Sequence, residues 1–443
     1  MLSKSKINSF YFANMAIKNN NKSSLNKNTN LNNFKTYDHL HSNKINLSNL
    51  SHNITNNAAQ SYNFNGFYKP SEIYTLYNIP SSMQAAPSGV GVKRQIIAIV
   101  DAYGYSTAYN DLLNFCNTYT SSSKPTLISA TNVTQSILQT NNNPLTFNFC
   151  IYKMSNSLSA NTGWAEEQAL DCQWAHAIAP AATILLVQAV SSSTTNLNSA
   201  IAKAISLGAS VISMSWGGGE TSSINTDTTF TNKNVVFVAS SGDGAYYSPT
   251  FPIQYPASSA NVLAVGGTTI SPLSISNSSI PRNEYVWNSE GFGISNYVAQ
   301  PTWQTPVVPT QTTTQKYRAV PDVVFVADPY TGVVINYAGS WYSIGGTSVS
   351  APCWAGIIAL ANQQRVSASP SKPLLTNATL LPALYNSTSS ALFNNLSNFF
   401  ISNSSLPAYQ QVYNYTTPND KYNLPSGLGS PNVANMINYL ASI

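Results

Sequence analysis

The chain has 443 residues, of which 43% are hydrophobic and only 8% are charged. An ordinary soluble chain carries about 25% charged residues. This composition provides enough apolar residues for a sizeable core, and it excludes a charge-rich disordered protein and a small disulfide scaffold. No apolar run approaches the roughly 18 residues of a membrane-spanning helix.

The formal net charge of +5 comes from the first 64 residues, which hold seven lysines and one aspartate. The rest of the chain has a formal charge of −1, so the sequence predicts no basic surface for nucleic acid. Residues 1–64 are polar and rich in Asn, and we expect them to form a low-complexity, disordered leader. Because the chain has few carboxylates, their protonation in acid adds little net charge, which would favour tolerance of acid. Compositional drift is an equal alternative.

The predicted elements of residues 65–443 alternate between strands and helices. In chain order they are a helix over 71–77, a strand over 95–101, helices over 109–119 and 165–178, a strand over 182–190, a helix over 197–207, strands over 211–216, 234–240 and 261–265, and a helix over 348–364. Continuous apolar strands between helices indicate an α/β fold with a mostly parallel sheet and helices on both faces. Sites in such sheets lie at the carboxyl ends of the strands.

Residues 345–352 (GGTSVSAP) precede the long apolar helix and place Ser348 at its N-terminus. The helix dipole and the free N–H groups there favour developing negative charge. A nucleophilic serine and an ordinary helix cap are both compatible with this pattern.

The base for such a serine is expected to be a carboxylate, because His176 is the one histidine after residue 64 and a Ser-His-Asp triad is disfavoured. Glu167 and Asp171 are four residues apart and share one helix face, whereas Glu166 points about 100° away. A carboxyl pair at this spacing can share a proton, which suits a group that acts first as a base and then as an acid. The alternative is a solvated helix face, which the apolar flanks disfavour.

Asp243 lies between two glycines after the strand at 234–240. It is either a turn residue or, when protonated, a hydrogen-bond donor to an oxyanion. The four cysteines have no metal-binding spacing. Cys172 and Cys353 are predicted to be buried thiols. The sequence leaves undecided whether Cys116 and Cys150 form a disulfide bridge.

Several motifs together resemble the sedolisins, which are serine-carboxyl peptidases with a subtilisin-like fold. The resemblance covers nearly all of residues 68–443. The motifs are GGTSVSAP at 345–352, GWAEEQALDCQWAHAIAP at 163–180, MSWGGGE at 214–220, VASSGDG at 238–244, YPASSANVLAVGGTT at 255–269, RAVPDVVFVADP at 318–329 and SGLGSP at 426–431.

The resemblance implies a role for each matching residue. Ser348 is the nucleophile, Glu167 the general base, Asp171 the carboxylate that orients it, and Asp243 the oxyanion-hole carboxyl. The edge segment implied to pair with a peptide substrate consists of Ser215, Trp216, Gly217 and Gly218. The resemblance gives His176 no catalytic role. Asp101 invites a subtilisin-like catalytic interpretation, but no matching histidine exists, so we interpret it as a strand-end residue.

Sedolisins usually bind one calcium ion, and the two positions that match their aspartate ligands are Asn395 and Asn423. Lys421 stands among the positions where the family offers carbonyl oxygens. Because calcium affinity rises with carboxylate count, we expect the ion to be absent or weakly bound and no cofactor to be required. The leader is also too short and too polar to match the folded N-terminal domain of sedolisin precursors, so zymogen processing stays open.

The sequence therefore predicts a serine-carboxyl endopeptidase that hydrolyses proteins or peptides at acid pH, through a Ser-Glu-Asp triad and an aspartate oxyanion hole. The main alternative is a catalytically silent relative that acts as a binding protein, and a second is an esterase that uses the same residues. We expect a monomer, and the resemblance suggests an extracellular or acidic compartment.

Overall fold

The structure is a computed structural model. It describes residues 35–36, 43–45, 66–85, 93–120, 123–140, 143, 145–231, 234–244, 253–270, 284–308, 316–387, 389–394, 396 and 421–443. Asn395, one of the two positions matched to calcium ligands, lies outside these residues.

Eight α-helices lie in the described residues. They are α1 (Pro70–Leu76), α2 (Ala108–Tyr119), α3 (Gln135–Gln139), α4 (Thr162–Ile178), α5 (Thr194–Ser206), α6 (Thr347–Ala368), α7 (Asn377–Asn386) and α8 (Val433–Ser442).

The same residues contain twenty strands, most of them short. They are β1 (Lys35–Thr36), β2 (Asn43–Ile45), β3 (Gly66–Tyr68), β4 (Ile96–Ala102), β5 (Lys124–Ile128), β6 (Thr146–Lys153), β7 (Thr183–Ala189), β8 (Val211–Met214), β9 (Trp216–Gly219), β10 (Val236–Ser240), β11 (Gln254–Tyr255), β12 (Leu263–Ile270), β13 (Glu284–Val286), β14 (Gly293–Ala299), β15 (Tyr317–Val320), β16 (Val323–Val326), β17 (Thr331–Tyr337), β18 (Ser340–Ile344), β19 (Phe393–Asn394) and β20 (Ser430–Pro431).

A nine-stranded sheet forms the centre of the fold. Its strand order is β13-β12-β10-β8-β4-β7-β6-β5, and β16 also pairs with β12. All of its pairings are parallel except that of β12 with β13. The α/β fold with a mostly parallel sheet, predicted from the sequence, is confirmed.

Each face of this sheet carries its own apolar core, because successive side chains of a strand point to opposite faces. Ile97 and Ile99 of β4 pack with residues of α4 and α6. Ile96, Ala98 and Val100 of the same strand pack with residues of α5. The arrangement is therefore three-layered, and β4 is buried along its whole length.

Helices α4 and α6 pack closely on one face of the sheet. A Cβ atom added to Gly356 of α6 would lie 2.7 Å from Cβ of Ile178 in α4. No side chain larger than hydrogen fits at this point, so the two helix backbones approach each other here. This approach matters for the site, because α4 carries Glu167 and Asp171 and α6 begins beside Ser348.

Residues 1–64, predicted to be a disordered leader, contribute two short strands to the folded body. β1 pairs antiparallel with β9, and β2 pairs antiparallel with β18. The remainder of the leader lies outside the described residues, and its disorder stays a prediction.

All four cysteines are buried and free, so the bridge left open between Cys116 and Cys150 is not formed. None of the helices in the described residues is both long enough and apolar enough to cross a membrane.

Candidate active site

The candidate site lies where three neighbouring parallel strands end. β8 lies between β4 and β10 in the sheet. Asp101 is near the carboxyl end of β4, Ser215 directly follows β8, and Asp243 lies three residues after β10. Because parallel strands end at the same edge of a sheet, these three residues meet there.

Ser348 is the second residue of α6, and its side chain is fully buried. The helix is preceded by Gly346, whose φ of 116° favours glycine. A Cβ atom at Gly346 would lie 2.8 Å from Oδ2 of Asp243. Glycine therefore permits both the backbone turn and the close approach of the Asp243 carboxyl to the start of the helix.

Glu167 and Asp171 face the same site from α4, and both are fully buried. The Ser215 hydroxyl lies 2.8 Å from Oδ1 of Asp171, to which it donates, and 3.3 Å from the carbonyl oxygen of Ser348. Within the described part of the chain, neither carboxylate oxygen of Glu167 has a hydrogen-bond partner of good geometry, and neither does Oγ of Ser348. Oδ2 of Asp171 is also buried without a partner in the described residues.

Burial is the main reason why the pKa of Glu167 is raised well above its ordinary value, and the nearby charge of Asp101 adds to this effect. The Ser348 hydroxyl acts in the opposite sense, because it favours the ionised carboxylate. The pKa of Asp171 is raised for the same two reasons, burial first and Asp101 second. The three carboxyl groups therefore titrate together rather than one by one.

Asp101, which the sequence analysis interpreted as a strand-end residue, is part of this acidic cluster. It is fully buried, and burial raises its pKa to about 8. Neither of its carboxyl oxygens has a hydrogen-bond partner among the described residues. A carboxylate at the carboxyl end of a central strand was the signal in the sequence, and the absence of a matching histidine led the interpretation away from it.

Asp243 is held by the first residue of α6. Its Oδ1 accepts hydrogen bonds from the backbone N–H of Thr347 at 2.9 Å and from the Thr347 hydroxyl at 2.7 Å. Its Oδ2 is buried and has no hydrogen-bond partner in the described region. Burial raises the pKa of Asp243 to about 6, although both Thr347 contacts lower it. At acid pH the free Oδ2 can therefore carry a proton and act as a donor.

Three residues of the predicted substrate-binding segment, Trp216, Gly217 and Gly218, lie in β9, and the fourth, Ser215, directly precedes this strand. The Trp216 ring is buried and donates to the carbonyl of Val100 at 2.7 Å, so the segment offers its backbone rather than this side chain. Gly218 pairs with Tyr255 of β11 on one side. On the other side, Lys35 pairs with Gly217 and Thr36 with Trp216. A segment of the same chain therefore lies along the edge that we assigned to the substrate.

His176 lies apart from the cluster, in the last turn of α4, where its side chain is fully buried. Its Nε2 is 3.0 Å from the Thr120 hydroxyl, and its ring stacks on Phe147 with centroids 4.0 Å apart. Burial lowers the pKa of His176 to about 3. It is a neutral core residue in this structure.

The described part of the region matched to the calcium site has neutral and cationic groups where sedolisins have ligands. Oδ1 of Asn423 is buried without a hydrogen-bond partner in the described part of the chain, and the Asn423 N–H donates to Gly427 O at 2.9 Å. The Lys421 ammonium donates to the Ser387 carbonyl at 2.8 Å. In the described residues of this region, Asn423 offers an amide oxygen rather than a carboxylate and Lys421 adds a positive charge, whereas calcium prefers several hard oxygen ligands.

These raised pKa values predict that the folded protein is more stable in acid than at neutral pH. Below about pH 4 such carboxyls are protonated in both the folded and the unfolded state. As the pH rises, the unfolded chain ionises first, so the free energy of unfolding falls until the folded pKa is passed. His176 acts in the opposite sense below its ordinary pKa, because burial lowers its pKa to about 3, but several buried carboxyl groups outweigh one imidazole. The melting temperature should therefore decrease between about pH 4 and pH 8, as measured by calorimetry.

Asp101→Asn should flatten this decrease, because it removes the group whose pKa is raised to about 8. A wild-type melting temperature that rises over this range, or an unchanged slope in the variant, would contradict the assignment.

Comparisons with known proteins identify the family and the fold of this chain. The Subtilase family matches residues 131–405, more than half of the chain. Sedolisin of Pseudomonas sp. (strain 101) is 36% identical over 140 residues, which are 27% of this chain and 23% of that protein. Kumamolisin of Bacillus sp. (strain MN-32) is 32% identical over 222 residues, 45% of this chain and 39% of that protein. Each match thus spans less than two fifths of the relative.

A solved structure of Pseudomonas sedolisin, complexed with two molecules of pseudo-iodotyrostatin, superposes with a TM-score of 0.61. The superposition covers 85% of this chain and 98% of the sedolisin chain, at 24% sequence identity. It supports the subtilisin-like fold. The resemblance to sedolisins predicted from the motifs is confirmed by these matches, and the chain belongs to the subtilase family.

Proposed function

We propose that this protein is a serine-carboxyl peptidase that hydrolyses peptide bonds of proteins or peptides at acid pH. The observation that carries the proposal is the meeting of Ser348, Glu167 and Asp243 at one edge of the sheet, where the Ser348 hydroxyl faces the Glu167 carboxyl and Oδ2 of Asp243 has no hydrogen-bond partner among the described residues. The similarity to sedolisin and kumamolisin supports the same reaction class.

In the proposed reaction, ionised Glu167 accepts the proton of the Ser348 hydroxyl as Oγ attacks the peptide carbonyl carbon. Asp171, itself held by Ser215, shares charge with Glu167 through the coupled titration of the cluster. Asp101 belongs to the same proton-sharing set. The raised pKa of this set suits a group that must accept a proton and later return it.

The negative charge that develops on the carbonyl oxygen is met by two donors. Protonated Oδ2 of Asp243 is one, and the backbone N–H of Ser348 at the start of α6 is the other. Glu167 then gives its proton to the leaving amine as the C–N bond breaks. Water hydrolyses the resulting ester of Ser348, with Glu167 again accepting a proton and Ser348 regaining its own.

We propose endopeptidase activity, with the backbone of β9 pairing with an extended substrate. In the structure β1 lies on this edge, so a substrate would have to replace it. A catalytically silent binding protein and an esterase are the alternatives that the first experiment separates.

Wild-type protein should hydrolyse a denatured protein in acid, with an optimum just below about pH 6, where Asp243 still keeps its proton and part of Glu167, whose pKa is raised, is ionised. Ser348→Ala should abolish the activity. Ser350→Ala is a matched control, because this buried neighbour donates to the Phe325 carbonyl and has no role in the reaction. Internal fragments of the substrate would indicate endopeptidase cleavage. Folded wild-type protein without activity at any pH would favour the binding-protein alternative, and cleavage of esters alone would favour the esterase.

Two substitutions of Asp243 should show whether its proton, or only a hydrogen-bond donor at its position, is needed for activity. The wild-type rate should fall as the pH rises through about 6, because Asp243 then loses the proton that it donates. Asp243→Asn should move this fall to higher pH, since an amide donates without titrating. Asp243→Ala should lower kcat by about 10²–10³-fold. Identical pH profiles for wild type and Asp243→Asn would refute the assigned role.

We also propose that the protein needs no calcium. Incubation with a calcium chelator, and later addition of calcium, should leave both the melting temperature and the peptidase rate unchanged. Lys421→Gly with Asn423→Asp is the corresponding gain-of-binding variant and should become sensitive to calcium if enough oxygen ligands remain. A chelator-induced drop in the wild-type melting temperature would overturn this proposal.

A further inference from the structure

Glu290 is a fully buried carboxyl group that the proposed reaction does not use. It lies between β13 and β14, in a segment to which the sequence analysis gave no role. Its Oε2 accepts a hydrogen bond from the backbone N–H of Gly267 in β12, and its Oε1 accepts one from the Ser241 hydroxyl at 3.2 Å. Ser241 begins the Ser241–Asp243 loop, which carries the proposed oxyanion donor.

The space for this carboxyl group is provided by glycine. A Cβ atom at Gly266 would collide with the Glu290 carboxyl, and one at Gly267 would lie 3.1 Å from Oε2. The next residue in the chain, Gly291, donates its N–H to the Gly242 carbonyl at 2.6 Å. A side chain at Gly291 would collide with that carbonyl. Glu290 therefore links the Ser241 side chain to β12, in addition to the hydrogen bond from the Ser241 N–H to the Val265 carbonyl at 2.9 Å, and Gly291 holds the next residue, Gly242.

Thr347 holds the same loop from the side of α6. Its hydroxyl accepts from the N–H of Gly242 at 3.1 Å and donates to Oδ1 of Asp243 at 2.7 Å. The loop is thus clamped between the helix that carries Ser348 and the segment that carries Glu290.

We propose that Glu290 is a positioning residue of the oxyanion hole, which ties Ser241 to β12 and thereby fixes Asp243 relative to Ser348. This inference rests on the proposed peptidase function. It assigns Glu290 no contact with the substrate.

Glu290 performs this role as a neutral acid. It is fully buried, and no cation of the described residues forms an ion pair with it. Burial raises its pKa well above the ordinary value and the charge of Asp243 adds to this, although the contacts with Gly267 and Ser241 act in the opposite sense. Asp243 is the titratable group of the described residues whose charge acts on it.

A glutamine can replace a neutral glutamic acid at this place. Its carbonyl oxygen accepts from the Gly267 N–H, and its amide donates to Ser241, whose hydroxyl can turn to accept. An alanine makes neither contact. Glu290→Gln and Glu290→Ala therefore distinguish two possibilities. If a neutral group suffices for positioning, the glutamine variant stays active, and if a negative charge is required, both variants are impaired.

The test measures kcat and KM against pH for a chromogenic peptide. Glu290→Ala should lower kcat by about 10²-fold, the cost of a misplaced catalytic group, with KM changed by less than about 3-fold. Glu290→Gln should restore kcat to within about 3-fold of the wild type and keep its pH profile, since it preserves both contacts. Ser241→Ala, which leaves the carboxyl in place, should lower kcat, and its effect should not add to that of Glu290→Ala.

Glu284→Ala is the matched control, because Glu284 is also fully buried and accepts from Thr268 of β12 at 2.7 Å. It should lower the melting temperature without changing kcat of the folded protein. If Glu290→Ala does not fold, Ser241→Ala and Glu290→Gln carry the test.

Three results would overturn the role of Glu290 and leave the proposed peptidase function intact. The first is an unchanged kcat in both Ser241→Ala and Glu290→Ala, and the second is an additive effect of these two substitutions. The third is a Glu290→Gln variant that is as impaired as Glu290→Ala. An inactive wild type would overturn the proposed function together with the role of Glu290.

Discussion

The burial of carboxyl groups without cations is the constraint on which this site depends. Asp101, Glu167, Asp171 and Asp243 are all buried at one edge of the sheet, and no ion pair reaches them within the described part of the chain. An isolated charge is costly to bury, so such groups retain protons to higher pH than usual. The same cause raises the pKa of the proposed base Glu167 and of the proposed oxyanion donor Asp243. It keeps the proton on Asp243 in acid and makes Glu167 harder to ionise there, so the two requirements together define the pH range of activity.

A contrasting carboxyl group elsewhere in the core shows that the fold can neutralise a buried aspartate by pairing. Asp322 lies 2.8 Å from the Arg318 guanidinium, and both side chains are fully buried. Tyr385 also donates to Asp322 at 2.7 Å. Asp322 is therefore given a cation and a further donor, whereas the carboxyl groups at the site are left to share protons.

The central parallel sheet and the Ser348, Glu167, Asp171 and Asp243 candidates could be read from the sequence, because apolar strands, a helix-start serine and an i, i+4 carboxyl pair are local patterns. The membership of Asp101 in the acidic cluster could not be predicted from the sequence, because its proximity to Glu167 and Asp171 depends on how α4 crosses β4. Glu290 gave no signal, because a single glutamate in a loop is ordinary until glycines of a distant strand are seen to enclose it. Pairing of β1 with β9 joins segments about 180 residues apart, and no periodicity indicates such a contact.

The most direct test of the account is the detection of an acyl-enzyme. Wild-type protein and Glu167→Gln would be mixed with an activated peptide ester at mildly acid pH, quenched in strong acid and mapped by mass spectrometry. The account predicts an acyl group on Ser348 in the wild type and little or none in the variant, because glutamine cannot accept the serine proton. Acylation of another residue, or equal acylation of Ser348 in both proteins, would contradict a serine nucleophile activated by a buried carboxylate.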